Sequence, residues 1–202
     1  AVKNAVNIPI VADIHFDYRL AIESAAAGAD KIRINPGNIG SNDRVRAVAE
    51  ACRLHNIPIR IGVNGGSLSK EILSRYSGPT AEALVASALE EIAVLENFDF
   101  YDICVSLKSS DVLTMVKAYR LMSQRSDCPL HLGVTEAGTE YSGTLRSAMG
   151  IGALLVDGIG DTIRVSLTAD PVKEVKAGVE ILKAVGLRQG VKLISCPTCG
   201  RT

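Results

Sequence analysis

Apolar and polar positions alternate with a period of two in seven short runs rich in β-branched residues, and with helical spacing in the stretches between them. The strand-like runs are residues 8–14, 31–35, 57–63, 101–107, 130–134, 162–167 and 191–194. Most of them start about 25 to 30 residues apart. Helical spacing fills 18–27, 44–54, 81–96, 112–124, 144–156 and 171–185. This alternation predicts parallel strands joined by right-handed helical crossovers. Asp17, Asn42, Thr80 and Asp170 stand where N-caps are wanted, because a short polar side chain accepts from the free amides of a first turn. Pro171 suits a first helical position. Residues 64–80, rich in Gly and Ser, are expected to form an extended loop or a short extra helix over one end of the sheet.

The two faces of each strand differ in chemistry. Ile57, Ile59, Ile61 and Val63 oppose Pro58, Arg60, Gly62 and Asn64; Ile32 and Ile34 oppose Arg33 and Asn35; Ile163, Val165 and Leu167 oppose Thr162, Arg164 and Ser166. An open sheet with helices on both sides wants two apolar faces, whereas a barrel turns its polar face toward a central site at the carboxyl ends of the strands. The expected fold is therefore α/β, a TIM (β/α)8 barrel. Residues 1–6 read as the end of a helix whose strand comes earlier, so seven of eight barrel strands are expected, with the first missing. No linker interrupts residues 1–195, which are expected to form one N-terminally truncated barrel domain, with 196–202 opening a further domain.

Composition narrows the function. Twenty-two Lys and Arg balance 22 Asp and Glu in 202 residues, which gives no global electrostatic reason to bind nucleic acid or an anionic membrane. No apolar run is long enough for a spanning helix. Five cysteines are too few for a disulfide scaffold, and Cys52, Cys104 and Cys128 sit singly inside periodic segments as small hydrophobes, which suits a reducing compartment.

Any anion site must then be local. On the polar strand face near the carboxyl ends lie Asp13, His15, Arg33, Asn35, Arg60, Asn64, Lys108, Arg164 and Ser166. Four cations facing inward against few acids call for a multiply charged anion, and Arg forks suit phosphate oxygens. Phosphate or diphosphate is the expected ligand class. Glu136, just past the run 130–134, is placed to act as general acid or base, His131 reads as structural, and His55 reads as a solvent-facing helix end. Cys196 and Cys199, in Cys-Pro-Thr-Cys-Gly, have a spacing that lets two thiolates hold one zinc or iron; a redox dithiol has the same spacing, and two ligands do not close a metal site.

Seven segments, taken together, resemble the 4-hydroxy-3-methylbut-2-en-1-yl diphosphate synthases, iron–sulfur enzymes of the methylerythritol phosphate route to isoprenoids. They are Val-Ala-Asp-Ile-His-Phe from Val11, Lys-Ile-Arg-Ile-Asn-Pro-Gly-Asn from Lys31, Ile-Arg-Ile-Gly-Val-Asn from Ile59, Ser-Leu-Lys from Ser106, Leu-Gly-Val-Thr-Glu-Ala-Gly from Leu132, Gly-Asp-Thr-Ile-Arg-Val-Ser from Gly160, and Ser-Cys-Pro-Thr-Cys-Gly-Arg-Thr from Ser195. The resemblance implies a barrel that binds a cyclic diphosphate, followed by a domain carrying a [4Fe–4S] cluster reduced by flavodoxin or ferredoxin. It implies that His15, Arg33, Arg60, Lys108 and Ser166 hold the diphosphate, that Asn64 orients that network, and that Glu136 faces the ring-opened intermediate. Cys196 and Cys199 would be two cluster ligands, with the others outside this sequence. It further implies a homodimer and a cytoplasmic location, or the plastid stroma in a plant or alga. The alternative reading is a cluster-free phosphate-binding barrel, an aldolase or isomerase with Lys108 as Schiff-base former.

Overall fold

A computed structural model describes residues 2–191 of the chain. Six parallel strands follow one another in sequence order: β1 (Val11–Asp13), β2 (Lys31–Ile34), β3 (Ile59–Asn64), β4 (Ile103–Lys108), β5 (His131–Leu132) and β6 (Thr162–Ile163). The first four form one sheet and the last two another, and a bridge between Val105 and Leu130 joins the two into one arc. The run at 191–194 and the start of a further domain at 196–202 lie outside the described residues, apart from Val191.

Helices α1 (Val2–Ala5), α2 (Tyr18–Ala26), α3 (Pro36–Ile39), α4 (Asn42–Leu54), α5 (Lys70–Tyr76), α6 (Ala81–Glu96), α7 (Val112–Met122), α8 (Glu140–Val156) and α9 (Pro171–Ala184) complete the order. Asp17, Thr80 and Asp170 accept from Arg19, Ala83 and Val172 amides, as N-caps should. Asn42 is not a cap: the helix already starts there, and Ser41 is the capping position. The Gly- and Ser-rich segment folds as a 3-10 turn, Gly65–Ser67, and then α5, whose cap Ser69 accepts from the Ile72 amide.

The oily strand face meets the helices. Ile32, Ile34, Ile59, Ile61, Val63, Val105 and Leu107 are buried against Ala83, Leu84 and Ala88 of α6, Met115 and Tyr119 of α7, and Val48 and Cys52 of α4. One close approach needs glycine: a Cβ at Gly143 would lie 2.7 Å from Leu167 Cδ2, so α8 reaches that contact only without a side chain there.

The join between β4 and β5 is unusual. Val105 N–H donates to Pro129 O, and a parallel ladder would next pair Leu107 N–H with His131 O. Instead Leu107 N–H donates to the Tyr119 hydroxyl (2.9 Å), which donates to His131 O (2.5 Å). The phenol of α7 is inserted into a ladder bond, and the strands separate there into two sheets.

Candidate active site

Strand register lays one polar row across the arc. Asp13 lies beside Arg33, Arg33 beside Arg60 and Arg60 beside Cys104; two residues further on Gly62 is beside Ser106, and two further still Asn64 is beside Lys108. Arg33, Asn35, Arg60 and Lys108 are buried, at 4%, 3%, 8% and 7% exposure. Arg33 and Arg60 stand deeper than the sequence parity suggests. Arg60 is the second of six residues in β3, well below the carboxyl-end rim.

Arg33 is the best-anchored of the cations. Its Nη1 donates to Asp13 Oδ1 (2.9 Å) and its Nη2 to Gly62 O (2.9 Å), and His15 Nδ1 lies 3.5 Å from Nη1. Gly62 makes this possible: a Cβ there would sit 2.1 Å from Arg33 Nε. Asn35 Nδ2 donates to Ser67 Oγ, which donates to Asn64 O, so the 3-10 turn ties two rim asparagines together. Ser166 is half-buried and Arg164 exposed, on the rim beyond β6.

The electrostatics are unbalanced. Burial pushes the Lys108 amine down to about 7, and Arg164, Arg60 and Arg33 push the same way while only Asp13 opposes them. Burial likewise lowers the Arg60 guanidinium. Two unit charges 4 Å apart interact by about 4 kcal/mol at an effective dielectric of ~20, so this grouping of four cations, in which Asp13 is the carboxylate acting on Lys108, favours a polyanion.

A cleft of about 460 Å³ opens at this end, lined by Asn64, Ser67, Lys108, Ser109, Thr135 and Glu136 among others. Glu136 is exposed and takes a left-handed conformation, φ 51°, in the turn after β5. The strand has ended before it, which is what its parity requires. Ser67, Ser109, Ser110 and Thr135 line the cleft with hydroxyls that the strand pattern did not single out, because they stand on loops with no periodicity.

A second cavity of about 340 Å³ lies behind Asn35, among Gly37, Ser67, Ser87 and Glu91. Glu91 Oε2 is buried without a partner, and burial pushes this carboxyl up to about 8, against the pull of Arg33 and Ser87. Because the ordinary value is 4.5, the folded chain holds a proton that the unfolded chain releases, and stability falls as pH rises from about 4.5 to about 8. Glu91→Gln is expected to stabilise the protein by about 4 kcal/mol near pH 8 and by almost nothing near pH 4. Urea unfolding at both values checks this, and an equal gain at the two would refute it.

Parallel strands, covering helices and a polar interior opening at the strand ends define a TIM-barrel domain. The chain belongs to the GcpE family: the family model described as GcpE TIM-barrel domain matches residues 1–179. It is 63% identical over 198 residues to the 4-hydroxy-3-methylbut-2-en-1-yl diphosphate synthase (flavodoxin) of Clostridium perfringens, covering 98% of this chain and 57% of that protein. It is also 63% identical over 202 residues to the protein of the same description in Fusobacterium nucleatum, covering 100% of this chain and 57% of the relative. The chain thus spans little more than half the length of these curated relatives. A dihydropteroate synthase from Xanthomonas albilineans has a similar fold, with TM-score 0.58 at 14% identity over 91% of this chain and 69% of that one.

Proposed function

We propose that this chain is the substrate barrel of a 4-hydroxy-3-methylbut-2-en-1-yl diphosphate synthase. The overall reaction takes 2-C-methyl-D-erythritol 2,4-cyclodiphosphate, two electrons and two protons to 4-hydroxy-3-methylbut-2-enyl diphosphate and water. A ring C–O bond breaks and a hydroxyl leaves as water. The observation that carries this reading is the buried row Arg33, Arg60 and Lys108, with Asp13 beside it, in a chain so similar to proteins named for that activity.

In this reading the diphosphate is the missing counterion. Arg33 and Arg60 offer guanidinium forks to its oxygens, and Lys108 offers a point charge that the anion holds protonated. Arg164, His15, Ser166, Asn35 and Asn64 complete the binding set from the rim. Glu136, on the same cleft as Lys108, delivers a proton to the departing hydroxyl. The aldolase or isomerase alternative would use the Lys108 amine as nucleophile, but the named relatives do not favour it.

The electrons require a cofactor, and a [4Fe–4S] cluster is the one proposed. Among the described residues no group of three or more His, Cys, Asp or Glu is placed to hold a metal. Cys52 and Cys104 are buried thiols whose values burial raises. The described residues therefore do not fit a cluster. Cys196 and Cys199, outside the described residues, are the proposed contribution of this chain. Flavodoxin is the proposed electron donor, in keeping with the names of the relatives, with ferredoxin as the alternative. A homodimer and a cytoplasmic location complete the proposal; none of the described helices is long and apolar enough to cross a membrane.

The test is calorimetry on the full-length protein. A diphosphate-bearing ligand should bind far more tightly than its uncharged alcohol, and Arg60→Ala should cost about 1.5 to 3 kcal/mol of that affinity. Equal affinity for the diphosphate and the alcohol would overturn the reading.

A further inference from the structure

Four side-chain polar atoms among the described residues are buried without a partner, and two of them, Arg60 Nε and His131 Nε2, belong to the barrel interior. Register explains why they share one space. Gly62 is beside Ser106 on β3 and β4, and the Val105–Leu130 bridge sets His131 next to Ser106 on the other side. Ser106 thus stands between His131 and β3, where Arg60 lies two residues before Gly62, and Arg60 is the foremost charge acting on the imidazole.

The imidazole is held at both ends of its residue. Its main-chain carbonyl accepts from the Tyr119 hydroxyl, and its Nδ1 lies 2.8 Å from Thr162 Oγ1. Arg60 Nε–H can only donate. A partner for it must present a lone pair, and a neutral imidazole with its proton on Nδ1 presents one at Nε2 while giving the Nδ1 proton to Thr162. A buried donor and a buried acceptor left unpaired are each costly; the two are not bonded to each other directly, and one internal water between them satisfies both.

We propose that His131 is a positioning residue for the diphosphate site: with its proton on Nδ1, shared with Thr162, it uses Nε2 as the acceptor that orients the Arg60 guanidinium through its Nε–H, across one internal water. The inference rests on the diphosphate reading above for its effect on binding, and on geometry alone for the pairing. Burial, reinforced by Arg60, Lys108 and Arg164, pushes the imidazole down to about 3, so the ring serves as an acceptor and adds no further cation to the cluster. This assigns a role to a histidine whose position at the start of its strand otherwise reads as packing.

Two measurements on the full-length protein test it. Nitrogen NMR of histidine-labelled protein should show His131 neutral, with Nδ1 protonated and Nε2 bare, and Arg60→Ala should shift the Nε2 resonance. With inorganic pyrophosphate as probe, His131→Leu should weaken binding about tenfold. Arg60→Ala combined with His131→Leu should be no weaker than Arg60→Ala alone, and His131→Gln, which restores an acceptor near Nε2, should recover to within about threefold of wild type. An Nε2–H tautomer, unaltered pyrophosphate affinity in folded His131→Leu, or penalties that multiply in the double variant would each overturn the pairing. Should His131→Leu not fold, the tautomer of the wild type and the His131→Gln titration decide. If wild-type protein binds no pyrophosphate, the diphosphate reading falls, and the NMR result still settles whether His131 serves Arg60.

Discussion

Glu136→Gln in the full-length enzyme is expected to slow turnover about 100-fold or more while leaving pyrophosphate affinity within about threefold of wild type. The substitution keeps the side chain's size and its place in the left-handed turn after β5, and it removes the ionisable proton. Glu136 shares the cleft with Lys108 and lies outside the buried cationic row, so binding and proton delivery should separate cleanly in steady-state kinetics. Turnover within about threefold of wild type would return Glu136 to an ordinary exposed turn position.

Gly62→Ala is expected to have the largest effect on the barrel itself. The new methyl would occupy the place of Arg33 Nε, so the guanidinium must leave its contacts with Asp13 and with Gly62 O. Displacing a buried arginine from its partners costs about 3 kcal/mol or more. Urea unfolding should show that loss, and calorimetry should show pyrophosphate binding largely abolished. A variant with wild-type stability and affinity would mean that Arg33 has a second resting place of equal quality, which the present geometry does not offer.

Much of this was legible in the chain. Strand parity alone separated Ile59 and Ile61 from Arg60 and Asn64, because one face had to meet helices and the other did not. The charged row followed from it. What parity could not encode was reach across strands. Gly62 looked like an ordinary polar-face position, and its purpose depends on the side chain of Arg33 one strand away. The helical spacing was read from residue 144, yet α8 starts at Glu140 and runs through Gly143, where the missing side chain allows tight packing against Leu167. Asn42 was read as the cap of a helix spaced over 44–54, whereas α4 begins at Asn42 itself, two residues before that spacing, with Ser41 as its cap. The roles of Tyr119 and His131 were out of reach, since each joins two strands through atoms that no spacing rule connects.

The Tyr119 hydroxyl also determines how the sheet can come apart. Everywhere from β1 to β4 the strands are held by their own amides, but between β4 and β5 one rung depends on a side chain from α7. An oscillation that swings the phenol outward releases Leu107 N–H and His131 O together, and the arc then has a seam dividing β1–β4 from β5–β6. The slowest-exchanging amides should therefore lie inside the four-stranded part, and the Leu107 amide should exchange with the motion of α7 rather than with that of its own strand. Lys108 and His131 stand on opposite sides of this seam, so opening it would move one side of the cationic site against the other.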